Sequence, residues 1–219
     1  PNVAASLKPY YPYGCKRPAF HDEYLPTFNM PHVTLVDTAP RGVSKINENG
    51  VIHEGTEYPL DVLIYATGFK WQETATFNMI VGKDGQSLRK KWQSEGTKTF
   101  LGIHSNGFPN LFIVTGPQGG GGSFNFTEAI ETHSDYLIWI LETMRDQGVG
   151  VVDIKKEHEN EYAEHCRAVD ISTSAFRDCI SYYNGEGKAE PGSLSYYGGG
   201  QWHKYRANAE QTLDPYMFK

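Results

Sequence analysis

Two short runs of uninterrupted apolar residues constrain this chain more than any other feature. Val62–Tyr65 lies inside DVLIYATGF and is closed by Gly68, and Leu111–Thr115 (LFIVT) is ended by Gly116–Pro117. Runs without polar alternation fit strands covered on both faces, the habit of α/β sheets. His32–Asp37 (HVTLVD) and the residues around Val51–Ile52 are also strand-like, and VGKDGQSL is a Gly-containing hairpin candidate. An α/β nucleotide-binding chain of this kind opens with its own first strand and phosphate loop. Neither is found: no GxGxxG occurs, and the tetraglycine Gly119–Gly122 has the wrong spacing. The expected sheet therefore has too few strands to close its core, and the chain reads as a fragment or as one half of an assembly.

The first 30 residues are rich in Pro and Tyr, and Pro9, Pro12, Pro18 and Pro26 predict a loop. After GPQGGGGSFNFT the period changes. Phe126, Ala129, Ile130, His133, Leu137, Ile140, Leu141 and Met144 recur at steps of three and four, predicting an amphipathic helix that ends near Gly148. Asn125 and Glu128 have the spacing to cap its first turn in both directions. A second, more polar helix is expected from Glu157 to about Tyr183, along Tyr162, Cys166, Val169, Phe176 and Ile180. From Asn184 onward the Gly- and Tyr-rich tail reads as loop. A net charge of −6 and pI near 5.7 argue against a general nucleic-acid binder. No apolar run approaches the roughly 20 residues of a membrane span, and no signal peptide is apparent. The three cysteines (Cys15, Cys166, Cys179) are odd in number and lack metal-type spacing, so no disulfide framework or metal site is expected. A cytoplasmic, reducing location follows from that usage.

Three segments have the residue types for chemistry. Lys16 and Arg17 sit in a Pro-bracketed loop, GCKRP, where a point charge beside a rigid guanidinium fork suits a phosphate or a developing oxyanion; a merely solvated basic pair is the competing reading. Ala66, Thr67 and Gly68 end an apolar run in small residues that leave room for close backbone approach. GPQGGGGSFNFT lies between an apolar run and a helix, where main-chain N–H groups and the helix dipole favour a polar or anionic ligand group. The eight histidines are scattered, none forms HExxH, and no acid–base pair stands out. The residues alone lead to a nucleotide- or cofactor-binding α/β protein and not to a reaction.

The runs YPYGCKRPAFHDEYLPTFNMPHVTLVDT, DVLIYATGF and TFLGIHSNGFPNLFIVTGPQGGGGSFNFTEAIETH, in that order, resemble the C-terminal part of the type I Baeyer–Villiger monooxygenases. That resemblance implies an α/β fold: the C-terminal part of a flavoprotein with two dinucleotide-binding domains, incomplete without its N-terminal FAD half. Residues 1–62 would end the NADPH-binding domain, and 63–219 would continue the FAD-binding domain into a helical segment and a lid loop. The implied reaction inserts one oxygen of O2 beside a ketone carbonyl, giving an ester or lactone with FAD and NADPH as cofactors. Arg17 would be the catalytic residue, stabilising negative charge as oxygen is transferred, and Lys16 would hold the NADPH 2′-phosphate. Ala66, Thr67 and Gly68 would mark the crossing between domains. Gly116, Asn125, Phe126 and Tyr182 would contact cofactor, and Gly122, Ser123, Phe124 and Phe126 the substrate.

Phe126 replaces the methionine usual in that family, and Tyr182–Tyr183 stand where its lid carries Trp-Tyr. The aspartate that normally orients the arginine is absent, as are the first dinucleotide fold and most of the NADPH domain. The chain is therefore expected not to bind FAD unaided, and to need the N-terminal portion of the same enzyme as partner. A flavin N- or S-hydroxylating monooxygenase and a non-catalytic interaction subunit derived from such an enzyme are the competing readings.

Overall fold

A computed structural model describes residues 2–12, 15–16, 19–68, 75–119, 125–169, 180–181 and 201–219. The chain divides into two compact units, Pro1–Tyr11 with Arg17–Phe69, and Pro12–Lys16 with Lys70–Lys219.

The first unit contains the short helices α1 (Asn2–Ser6) and α2 (Tyr24–Thr27) and a meander of β1 (Lys45–Ile46), β2 (Gly50–His53) and β3 (Thr56–Pro59). All pairings are antiparallel, in the order β1-β2-β3. His53 pairs with Thr56, so only Glu54 and Gly55 make the turn. Both have positive φ, 47° and 81°, the twist that suits a two-residue hairpin. Among its described residues no apolar side chain is fully buried.

Two strand expectations fail here. His32–Asp37 and Val62–Tyr65 form no ladder, and Val62 and Ile64 are 73% and 83% exposed. A strand exists only where a neighbour accepts its main-chain bonds. The small meander supplies none to these segments. The strand around Val51–Ile52 does form, as β2.

The second unit holds α3 (Ala75–Met79), α4 (Leu88–Glu95), α5 (Phe126–Gln147), β4 (Val152–Ile154), α6 (Lys156–Ala168), α7 (Gln201–Thr212) and β5 (Tyr216–Phe218). α5 follows its sequence pattern closely. Asn125 caps it, its Oδ1 accepting from the Thr127 N–H at 2.9 Å, and Gly148 ends it in the left-handed region at φ 66°. Ala129, His133, Tyr136, Ile140 and Met144 form its buried face. The VGKDGQSL turn is present as a single antiparallel bridge between Val81 and Ser87. Ser87 then caps α4, a helix that apolar periodicity does not announce.

Three further expectations need correction. Leu111–Thr115 is not a strand: Val114 and Thr115 lie in a turn, and the Ile113 N–H bonds to the Ile103 carbonyl at 2.8 Å. Its alternation serves two cores instead, with Leu111 and Ile113 against Leu88, Trp92 and Phe108, and Phe112 against the main cluster. α6 stops at Ala168, where Val169 takes the cap, and Ile180–Ser181 is not helical. The tail is not loop throughout, because α7 and β5 lie in it. β5 pairs antiparallel with β4 and brings Tyr216 to the centre of the main core, where its hydroxyl lies 2.6 Å from that of Tyr136.

A buried ion pair joins α4 to α6. Lys91 Nζ donates to Glu159 Oε1 and Oε2 at 2.7 and 2.8 Å, to Ser105 Oγ and to the Asn106 carbonyl. Glu159 Oε1 also accepts from Ser105 Oγ and from the Asn106 N–H, both at 2.9 Å. Burial pulls the Lys91 pKa below its ordinary value, and the Glu159 carboxylate opposes the shift. Removing one partner strands a charge away from water. Glu159→Ala should therefore cost about 3–5 kcal/mol in a denaturant titration. Lys91→Met combined with Glu159→Gln should recover at least half of that loss, since Gln keeps an acceptor for the Asn106 N–H.

Candidate functional site

Of the residues singled out by sequence, Arg17, Gly122, Ser123, Phe124 and Tyr182 lie outside the described residues. Ala66, Thr67 and Gly68 belong to the first unit, exposed and without regular structure. Gly68 has φ +90° with nothing within 4 Å of where a Cβ would sit. A residue with a side chain would be strained there, but among the described residues no backbone approaches it.

Lys16, Gly116, Asn125 and Phe126 belong to the second unit. The Lys16 ammonium is exposed and donates to the Ile180 carbonyl at 2.6 Å. A positive charge at the surface with a neutral acceptor keeps capacity for an anion. Cys15 beside it is buried and disulfide-bonded, where cysteine counting expected no disulfide; Cys166 is a buried thiol.

Residues 115–119, which precede the Gly-rich segment in sequence, form a tightly held stem. The Gly116 N–H donates to the Gly102 carbonyl at 3.1 Å. A Cβ on Gly119 would meet the Gly102 Cα at 2.8 Å and His133 Cε1 at 2.7 Å, so main chain packs on main chain where only glycine fits. Gln118 is almost fully buried. Its Oε1 accepts from the Thr99 N–H at 2.9 Å, its Nε2 donates to the Thr97 carbonyl, and its own carbonyl accepts from the Tyr162 hydroxyl. His133 on α5 bridges the two ends of the stem, at Thr115 and Gly119. Beyond the loop, Asn125 is the cap of α5, and Phe126 is 63% exposed beside it. The stem is rigid main chain, and the residue after the cap offers an aromatic ring to whatever the loop faces.

A cavity of about 160 Å³ opens beside the stem, lined by Gly119, Glu128, Ala129, Thr132, His133, Trp202 and His203. Sequence reasoning missed Trp202 and the role of His133. The first lies in a tail that reads as loop, and the second passes for one more residue of an apolar stripe. Among the described residues no cluster of His, Cys, Asp and Glu could hold a metal ion, and no helix is long and apolar enough to cross a membrane.

Burial governs His104 and His133. It lowers His104 to about 3, against a carbonyl bond from Leu111 that favours the charged form. It also lowers His133, opposed by the bond to Gly119 and reinforced by the Arg206 charge. An unfolded histidine takes up its proton near 6.5, whereas folded His104 refuses it until about 3. The stability from neutral His104 is thus complete above about pH 6.5 and is lost as pH falls toward 3, by at most about 1.4 kcal/mol per pH unit. Denaturant titrations at pH 7.5, 6 and 5 should show this decline, and His104→Gln should flatten it.

No family model matches the chain. Curated relatives do, one of them at 41% identity over 212 residues. A Baeyer–Villiger monooxygenase of Streptomyces coelicolor is 37% identical over 225 residues, covering 98% of this chain and 37% of that protein. Among solved structures, the polycyclic ketone monooxygenase of the thermophilic fungus Thermothelomyces thermophila superposes with a TM-score of 0.85 at 31% identity, over 100% of this chain and 37% of its own. OTEMO, solved with FAD and NADP, superposes with a TM-score of 0.83 at 27% identity, over 100% of this chain and 41% of its own. The chain spans about a third of the length of the curated relatives it matches.

Proposed function

From a chain that belongs to the Baeyer–Villiger monooxygenases as their C-terminal portion, we propose that it serves flavin-dependent insertion of one oxygen of O2 beside a ketone carbonyl. The product is an ester or lactone and NADPH is consumed. The observation that carries the reading is similarity along the whole chain in sequence and in fold. A neighbour named for polycyclic ketones supports a bulky ketone as the substrate class.

The residues present fit part of both cofactors. Lys16, exposed and bonded only to a neutral carbonyl among the described residues, would hold the 2′-phosphate of NADPH. The glycine stem and the capped start of α5 would carry Gly116, Asn125 and Phe126 to FAD, with Tyr182 contributing from the lid and Ala66, Thr67 and Gly68 from the crossing between domains. Bound FAD, reduced by NADPH, supplies the activation of oxygen. Arg17 would then hold a fixed guanidinium where negative charge develops on the ketone oxygen, a contribution that grows when water is excluded. Gly122, Ser123, Phe124 and Phe126 would shape the wall around the ketone. Residues 1–62 close the NADPH domain and 63–219 continue the FAD domain in this assignment.

The partner is the N-terminal portion of such an enzyme. Two exposed apolar features support it: the Val62–Tyr65 run in the first unit, and the face of α5 bearing Phe126, Ile130, Ile138 and Leu141 in the second. Contiguous apolar surface of this kind marks a covered interface.

Two expected outcomes test the assignment in the full-length protein. Lys16→Ala should raise KM for NADPH about 10- to 100-fold, corresponding to about 1.5–3 kcal/mol for a charged hydrogen bond, and leave KM for NADH nearly unchanged. Arg17→Ala should bind FAD and oxidise NADPH while ester formation drops on the order of 10²–10³-fold, the remaining turnover giving hydrogen peroxide. Parallel assays of NADPH oxidation and of product by chromatography decide it; ester formation at the parent rate would remove Arg17 from the role.

A further inference from the structure

His133 lies two turns into α5, 2% exposed, and both of its ring nitrogens serve one loop. Nδ1 accepts from the Thr115 N–H at 3.0 Å, and Nε2 lies 2.8 Å from the Gly119 carbonyl oxygen. A neutral imidazole that accepts at Nδ1 carries its proton on Nε2, so the second contact is an N–H donating to a carbonyl. The ring plane is fixed by stacking on Trp202, with centroids 5.4 Å apart and 4° between planes. That indole donates in turn to the Leu101 carbonyl at 2.9 Å. Within the clasped segment, Thr115 and Gln118 hold φ of 54° and 65°. Side-chain-bearing residues stay in that region only when their surroundings over-determine them.

The same helix controls both ends of the segment 120–124. His133 holds Gly119, the residue before it, and Asn125, the residue after it, is the cap of α5. Along the helix axis the two anchors are about 12 Å apart at ~1.5 Å per residue. Charged groups surround the clasp without replacing it. Arg206 on α7 lies 5.8 Å from the Trp202 ring, pairs with Glu210 at 2.7 Å and reaches the Thr132 carbonyl. Glu128 on α5 and His203 on α7 line the cavity alongside.

We propose that His133 is a positioning residue: as a neutral imidazole it clasps Thr115 to Gly119 and sets the course of the stem, and thereby where Gly116 meets flavin. What the stem meets rests on the function proposed above; how it is held does not.

The test uses the full-length protein. ¹⁵N NMR of the parent should find His133 protonated on Nε2 alone at neutral pH. His133→Phe keeps a ring on Trp202 and removes both bonds. Its amides over 115–119 should exchange hydrogen at least tenfold faster, and its ratio of ester to hydrogen peroxide should fall at least tenfold with FAD retained. His133→Gln, which keeps a donor for Gly119, should restore most of both readouts. An Nδ1–H tautomer or an imidazolium in the parent overturns the proposal, as do unchanged exchange and coupling in His133→Phe. Should His133→Phe fail to fold, parent-like exchange and coupling in both His133→Gln and His133→Asn overturn it. A parent that makes no ester, but whose loop exchange still responds to His133→Phe, sinks the Baeyer–Villiger reading and leaves the clasp standing.

Discussion

The second unit is organised around the ion pair between Lys91 and Glu159. Two apolar clusters lie in this unit: Leu88, Trp92 and Phe108, and the larger group that includes Phe100, Ile103, Tyr162 and Tyr216. The pair with its Ser105 and Asn106 partners is a polar seam that ties α4 and α6 to the connecting turn. The seam continues into β4, where Asp153 accepts from the Gly107 N–H and the Asn106 side chain donates to the Ile154 carbonyl. Removing two charges from water is costly, and such a pair is tolerable only when every donor and acceptor is matched. Here each is matched, which fixes the course of the chain from Thr97 to Asn110. That course carries Thr99, Leu101 and Gly102, the residues against which the loop stem is built.

Periodicity was most informative where local pattern and tertiary role coincide. α5 is legible because its apolar stripe, its Asn125 cap and its Gly148 stop all agree. Short apolar runs carried less. Leu111–Thr115 has the composition of a covered strand, yet it divides its side chains between two clusters. Val62–Tyr65 has the same composition with no ladder to join, because strand formation depends on a neighbour that local sequence does not encode. α4 and α7 escaped notice for a different reason. Leu88 and Trp92 are a sparse stripe among Arg, Lys and Gln, and Trp202 and Ala209 are buried on a helix whose flanking sequence is rich in glycine.

The candidate site was legible through motif combinations rather than through physics at any one residue. Lys16 and Gly116 stand out by their neighbours in sequence, and the structure adds what holds them: the Ile180 carbonyl for one, the Gly102 carbonyl for the other. His133 could have been found from sequence only as an anomaly, a titratable residue on the buried stripe of a long helix. Its partners are main-chain groups 14 and 18 residues away, and main-chain partners leave no mark in composition.

The packing of Gly119 on Gly102 also has a bearing on how such a loop can diversify. Where main chain touches main chain, no side chain can be added, so Gly119 is a fixed point of the stem. Phe126 is different: its side chain is largely in solvent. A fold built this way divides labour between a fixed point and an exposed aromatic position, and the second can change without the scaffold being renegotiated each time.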